Sequence, residues 1–485
     1  MASLLRIAAT TFTSTFLLSL LSITSAQECK FKSLNTSYPA PVTAPNWEYS
    51  VIANKLRRPR GLVFDTEGAL LVIDSGNGIV RFELEDGGGT CLQVKKKTTL
   101  LKKDNLNHAI ALSRDGRTIY ASSSNDVFAW PYDPYEDSLQ NSLVQTLVTN
   151  MTSKGHTSRT LLVSQKYPDM LLVSRGSNGN DDEGTEDRDS GRSQLRAFNI
   201  SSFSDNSSKK PYNYTDGEIL GWGLRNSVGV AEHPKTGGIF SVENSADELH
   251  RDGTDIHKDN PAEEMNFHGF LNGSSEDQGG NYGYPLCYTL WSTEGFPNLG
   301  DLKIGDQFPA DRQTGEENAT SRTDKECKSD YVAPVLAFQA HTAPLDMKFD
   351  SDGTRAYISF HGSWNREPPV GYRISYADFE NGQPAASSRS KKATTPIISN
   401  KDISKCPDEC FRPVGLAWDP KGRLWFTSDK TGEIFVLNQT STSDNGTSSG
   451  GDDDDDDDNS ALSLRPGWAA SIVTLAAVIM GGFLA

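Results

Sequence analysis

Residues 58–84 read RPRGLVFDTEGALLVIDSGNGIVRFEL. An apolar run is followed by the turn residues Asp-Thr-Glu-Gly. A second apolar run, LLVI, leads to Asp-Ser-Gly-Asn-Gly and then to a third run. Short β-branched stretches separated by Asp/Gly turns are antiparallel hairpins. Five further stretches repeat the plan, at roughly 50-residue spacing where no insertion intervenes. They are LNHAIALSRDGRTIYASSSNDVFAWPY from Leu106, GHTSRTLLVSQKYPDMLLVSRGSNG from Gly155 and LRNSVGVAEHPKTGGIFSVENSADEL from Leu224. HTAPLDMKFDSDGTRAYISFHGSWNR from His341 and FRPVGLAWDPKGRLWFTSDKTGEIFVL from Phe411 complete the set. One such meander cannot bury both faces of its sheet, whereas a ring of them can. The repeat therefore predicts an all-β fold, a six-bladed β-propeller with long rim loops, over residues 44–438. No stretch reads as a substantial amphipathic helix. WEYSVI, residues 47–52, is expected to supply the outer strand of the last blade and close the ring. The segments 177–213 and 249–332 are expected to be rim loops.

Outside the repeats, residues 1–26 have one early cation, Arg6, an apolar stretch and small residues at Thr24, Ser25 and Ala26. That is the pattern of a secretory signal peptide. Residues 439–459, with seven consecutive aspartates, cannot bury apolar area and predict a disordered stalk. Residues 460–485 end in an uncharged apolar tail with no Lys or Arg behind it. The pattern is that of a GPI-attachment signal, which is removed, and the competing reading is a C-terminal spanning helix. The expected location is thus the extracellular surface, with membrane contact only through the anchor.

The 485-residue chain carries a formal charge of −17, which argues against nucleic acid as a partner. Six cysteines and nine Asn-x-Ser/Thr sequons, from Asn35 to Asn445, suit an oxidising, glycosylating route. The expected disulfides are Cys406–Cys410 locally, then Cys29–Cys91 and Cys287–Cys327 by order along the chain.

In a propeller the first strand of each blade is innermost, so its entrance and the exit of the second strand meet at one mouth of the channel. The entrances carry Arg60, His108, His156, Arg225 with Asn226, His341 and Arg412. The exits carry Asp74, Ser124, Arg175, Glu243 with Asn244, residues 361–366, and Asp429 with Lys430. Arg60, Arg225, Arg366 and Arg412 predict a cationic ring suited to a ligand with several anionic groups. Neutral imidazole accepts protons near neutral pH, which makes His156 a candidate general base.

GHTSRTL, GLRNSVGVAEHP, VENSADEL, GGNYGYPLC and FHGSWNR resemble the soluble quinoprotein glucose/sorbosone dehydrogenase family, above all its fungal pyranose dehydrogenase branch. The resemblance implies a propeller that binds pyrroloquinoline quinone with calcium and oxidises a sugar at its anomeric carbon by hydride transfer. Position by position, it implies His156 as the base and Arg225 with Asn226 beside the cofactor. It implies Ser245 and Ala246 as carbonyl ligands of the calcium. Arg60, Arg366 and Arg412 become further cations near the cofactor, and Trp364 a wall of the pocket. The electron acceptor is then a separate partner. The loop after Arg175 and the pair Glu263–Glu264 are secondary calcium candidates, with a solvated flap and a turn cap as the alternatives. Two other functions compete: a calcium lactonase on the same scaffold, and a non-catalytic anchored binding protein.

Overall fold

The computed structural model describes residues 29–203, 209–311 and 322–440. The candidate signal peptide, the aspartate stalk and the apolar tail lie outside these residues. Among the described residues no helix is long and apolar enough to cross a membrane.

Six sheets form the six expected blades: four are four-stranded, and those of blades two and five are extended to six strands. Their innermost strands are Pro59–Phe64, Leu106–Leu112, Leu161–Val163, Ser227–Glu232, Pro344–Phe349 and Pro413–Trp418. Each touches the next, and the sixth touches the first, so the ring is closed. Closure is completed by Trp47–Ala53, which pairs antiparallel with Glu433–Gln439 as the outer strand of the sixth blade. The N-terminal segment also adds Val42–Thr43 to the outer edge of blade five. The Cys29–Cys91 disulfide ties it to blade one.

The core lies between blades rather than inside any one of them. Strand Leu70–Asp74, LLVID, is buried at every position because its two faces meet two different blades. Leu71, Ile79 and Trp130 pack between blades one and two, and Leu171, Phe198 and Val148 between two and three. Leu195 and Ile239 join three to four, and Phe240, Phe349 and Phe379 join four to five. Tyr357 and Phe426 join five to six, and Trp425 and Val72 join six to one. Six apolar seams therefore hold six blades. This is why the strands read as near-continuous apolar runs and not as strict alternation.

The two insertions differ from expectation. Segment 177–213 contains Gln194–Asn199, the third strand of blade three. Segment 249–332 contains Glu263–Phe270, the third strand of blade four. It also holds a two-stranded hairpin, Cys287–Thr289 with Gln307–Pro309, and a helix at Asp324–Asp330. Both third strands bury polar groups, Arg196 in one and Glu263, Glu264 and Asn266 in the other. Buried charge erases the hydrophobic signal that marks a strand in sequence. The three expected disulfides are all present.

Candidate active site

A cavity of about 320 Å³ opens at the mouth where the strand entrances converge. It is lined by His156, Arg225, Asn226, Ser245, Trp364 and Arg412 of the expected residues. Asn244, Asp247, Glu263, His341 and His361 join them.

The four arginines of the predicted ring separate by what neutralises them. Arg60 is outside the lining, with Nη1 2.6 Å from Asp429 and Nη2 3.1 Å from the His108 ring. Arg366 is also outside it, bound to the Lys258 and Pro368 carbonyls and paired with Asp259 at 2.7 Å. These two charges are compensated by carboxylates. Lys430 pairs with Asp408 at the surface. Arg412, in contrast, donates to the carbonyls of His361 at 3.2 Å and Gly362 at 2.6 Å. Arg225 donates to the Asn180 carbonyl at 3.1 Å, to Asn180 Oδ1 at 2.6 Å and to the Asn244 and Ser245 carbonyls. Its nearest carboxylate, Asp247, is 3.5 Å away. Carbonyls orient a guanidinium without cancelling its charge, so Arg412, and Arg225 in the part that Asp247 does not offset, leave positive charge facing the cavity.

His341 adds to it. One ring nitrogen faces the His257 carbonyl and the other lies 3.4 Å from Asp247. Burial lowers its proton affinity, but Asp247, the His257 carbonyl and Glu263 more than reverse this, so the ring is held above the usual histidine range. His341 and Ala343 take left-handed φ values of 65° and 51°, backbone strain of the kind concentrated at functional sites. His361 is the opposite case: burial pulls it down to about 4 although Asp429 is 2.9 Å from its Nε2.

His156 lies in the irregular lead-in to the short strand Leu161–Val163. Burial first, and then the Arg225 charge, pull its ring down to about 3. It is therefore neutral at physiological pH. The lead-in is held by Arg159, itself buried, whose Nη1 donates to the His156 carbonyl at 2.9 Å. Two glycines allow the loops to meet. A Cβ on Gly155 would fall 2.5 Å from the Asn178 backbone, and one on Gly176 would fall 2.7 Å from His156 Cβ.

The carbonyls of Asn244 and Ser245 converge on one nitrogen of Arg225. Two carbonyl oxygens aimed at one cationic point are the donor type that calcium prefers. The Ser245 carbonyl is one of the two expected cation ligands, and Ala246, the other, follows it with its side chain buried in the neighbouring apolar cluster. The carboxylates beneath are turned inward. Glu263 accepts from the Ser245 and Ala343 amides at 2.7 and 3.0 Å, and Glu243 from the Arg225 amide at 2.6 Å. Burial pushes Glu263 up to about 7. A positively biased cavity beside such an oxygen pair fits a polyanionic ligand accompanied by a hard cation.

Three functional positions were not singled out from sequence. Asn180 binds Arg225, the Asp247 amide and, through its own amide, the Asp247 carbonyl. It lies in the acidic loop that reads as a solvated flap; the loop instead forms a wall of the site. Ser177 contacts His156, and Asp247 stands between Arg225 and His341.

A family model described as TrAA12-like matches residues 41–440. A Hypocrea jecorina protein named pyrroloquinoline quinone-dependent sugar dehydrogenase is 50% identical over 423 residues, covering 87% of this chain and 95% of the relative. A Coprinopsis cinerea protein named pyrroloquinoline quinone-dependent pyranose dehydrogenase is 36% identical over 414 residues. That match covers 82% of this chain and only 54% of the longer relative. Among solved structures, the calcium structure of Trichoderma reesei Carbohydrate-Active Enzymes Family AA12 superposes with a TM-score of 0.81 and 51% identity, over 84% of this chain and 99% of that one. The holo form of the Coprinopsis cinerea pyranose dehydrogenase PQQ domain gives 0.75 and 34%, over 83% and 98%.

Proposed function

The chain belongs to the TrAA12-like family, and from that premise we propose that it is a pyrroloquinoline quinone-dependent sugar dehydrogenase. Its reaction is the calcium-assisted oxidation of the anomeric carbon of a pyranose or hexosone. The observation that carries this reading is a neutral histidine, His156, in a cavity given positive potential by Arg225 and Arg412. The quinone supplies a hydride-accepting carbonyl, which calcium polarises as a Lewis acid. Arg225 and Arg412, with His341 beside them, would hold the anionic groups of the cofactor, and the Ser245 and Ala246 carbonyls would hold the cation. His156 takes the proton of the sugar hydroxyl as the carbon is oxidised, so charge does not build up on the substrate. Trp364, two-thirds exposed at the cavity rim, offers a flat apolar wall for the sugar ring. Electrons leave to a separate acceptor.

The inward-turned carboxylates favour this reading over a lactonase. Lactonase chemistry needs Asp, Glu and Asn directed at a metal in the channel, whereas Glu263 spends both oxygens on backbone amides and Glu243 accepts from the Arg225 amide and the Asn266 side chain. The test is reconstitution with pyrroloquinoline quinone and calcium, followed by dye reduction with a panel of aldoses and hexosones. Saturable cofactor binding by calorimetry together with sugar-dependent reduction supports the reading. Absence of binding overturns it, and binding without turnover on any sugar leaves the binding-protein function in its place. The proposed cellular context is the outer surface, through a lipid anchor at the C-terminus. Release of active protein from membranes by a phosphatidylinositol-specific phospholipase tests that context. Retention after treatment identifies a spanning helix instead.

A further inference from the structure

The protonation pattern of His156 is written in its hydrogen bonds. Its Nδ1 lies 2.8 Å from Ser177 Oγ. Ser177 Oγ lies 2.6 Å from the Gly179 carbonyl. A hydroxyl has one proton to give and two lone pairs to receive with, and a carbonyl oxygen can only accept. The Ser177 proton therefore goes to Gly179, and the hydroxyl accepts from the histidine. Nδ1 must then carry the ring proton, which leaves Nε2 with its lone pair. The backbone holds the two residues side by side, since the His156 amide donates to the Ser177 carbonyl at 3.1 Å. Ser177 is fully buried, so water does not compete for its hydroxyl.

We propose that Ser177 is a positioning residue that selects the Nδ1–H tautomer of His156, so that Nε2 is the atom that takes the substrate proton. The proposal rests on the dehydrogenase reading above and deepens it. A neutral hydroxyl in this place has a consequence of its own. A carboxylate hydrogen-bonded to Nδ1 would stabilise the imidazolium and raise the basicity of the ring. Ser177 fixes the tautomer without adding charge. The charged groups that act on His156 are Arg225, Asp247 and Arg159. With Ser177 uncharged, the acidic limb of the reaction is set by these three and by burial. The chain keeps the base unprotonated in mildly acidic surroundings and gives up some of its proton affinity in exchange.

The experiment reads the tautomer directly. Wild-type protein labelled with ¹⁵N-histidine is examined by long-range ¹H–¹⁵N correlation, with His156 assigned from the His156→Gln spectrum. The expected pattern is a protonated Nδ1 and an unprotonated Nε2 between pH 5 and 8. A protonated Nε2 overturns the proposal, and no cofactor or turnover is involved in that result. Ser177→Ala should give a mixture of tautomers and lower kcat by roughly 10-fold, part of the general-base contribution of about 10²–10⁴, with KM little changed. Ser177→Asp should move the acidic limb of kcat/KM to higher pH. An unchanged tautomer and an unchanged pH profile in both variants also overturn the proposal. Failure of the wild-type protein to bind the quinone would count against the dehydrogenase reading and leave the tautomer result standing.

Discussion

His156 and His341 open almost the same way in sequence, as GHTSRT and HTAPLD, yet their proton affinities are shifted in opposite directions. The difference is in what faces each ring. His156 sees Arg225 and a serine, and His341 sees Asp247, Glu263 and a carbonyl. No local motif encodes this, because, Ser177 apart, the facing groups come from a neighbouring blade. Replacing His156 by Ala should lower kcat by about 10²–10⁴ and leave the thermal shift induced by the cofactor intact. Normal turnover in that variant would move the base to another group. Because the ring is pulled down to about 3, it is neutral at every pH well above that value. His156 should therefore impose no loss of kcat/KM between pH 7 and about 4.5, measured on enzyme kept saturated with cofactor and cation. A limb near pH 6.5 would show instead that the ring titrates as in water.

At the level of strands and seams, the blades were legible because β-branched runs and Asp/Gly turns recur, and the closing strand WEYSVI was legible from its place just ahead of the first repeat. The third strands of blades three and four were not, because buried Arg196, Glu263 and Glu264 make them read as loops. Phe240 is fully buried in the seam between blades four and five. Phe240→Ala should cost about 3–5 kcal/mol by chemical denaturation. Asp429 joins blade six to blades one and five through Arg60 and His361. Burial alone would raise its carboxyl, but His361 and Arg60 more than reverse this and hold it well below the usual carboxylate range. A depressed carboxylate stabilises the fold above its unfolded value near 4, and that contribution is lost as the pH falls further. The Asp429→Asn variant should therefore be less stable than wild type at pH 7, and the gap should narrow below about pH 4. A constant gap across that range would mean that the Asp429 charge contributes nothing.

For the molecule as a whole, a ring of six seams surrounds a channel whose mouth collects side chains from distant parts of the chain. A ligand that bridges blades stabilises the native state by RT ln(1 + [L]/Kd), about 2.7 kcal/mol at one hundred times Kd. Pyrroloquinoline quinone with calcium should raise Tm, and a chelator should remove most of that gain; a chelator-insensitive shift would argue against a bridging cation. By itself the sequence determined the six-fold repeat, the closed ring and the end of the channel where charged residues gather. These follow from periodicity and turn chemistry, which are local. Only the tertiary structure decided how closely each arginine meets a carboxylate. Arg60 and Arg366 meet carboxylates, while Arg225 and Arg412 meet mostly carbonyls. It also brought Ser177, Asn180 and Asp247 to the site and turned the acidic loop into a wall. The physical reason is that charge compensation depends on distances between blades, and one-dimensional spacing does not contain those distances.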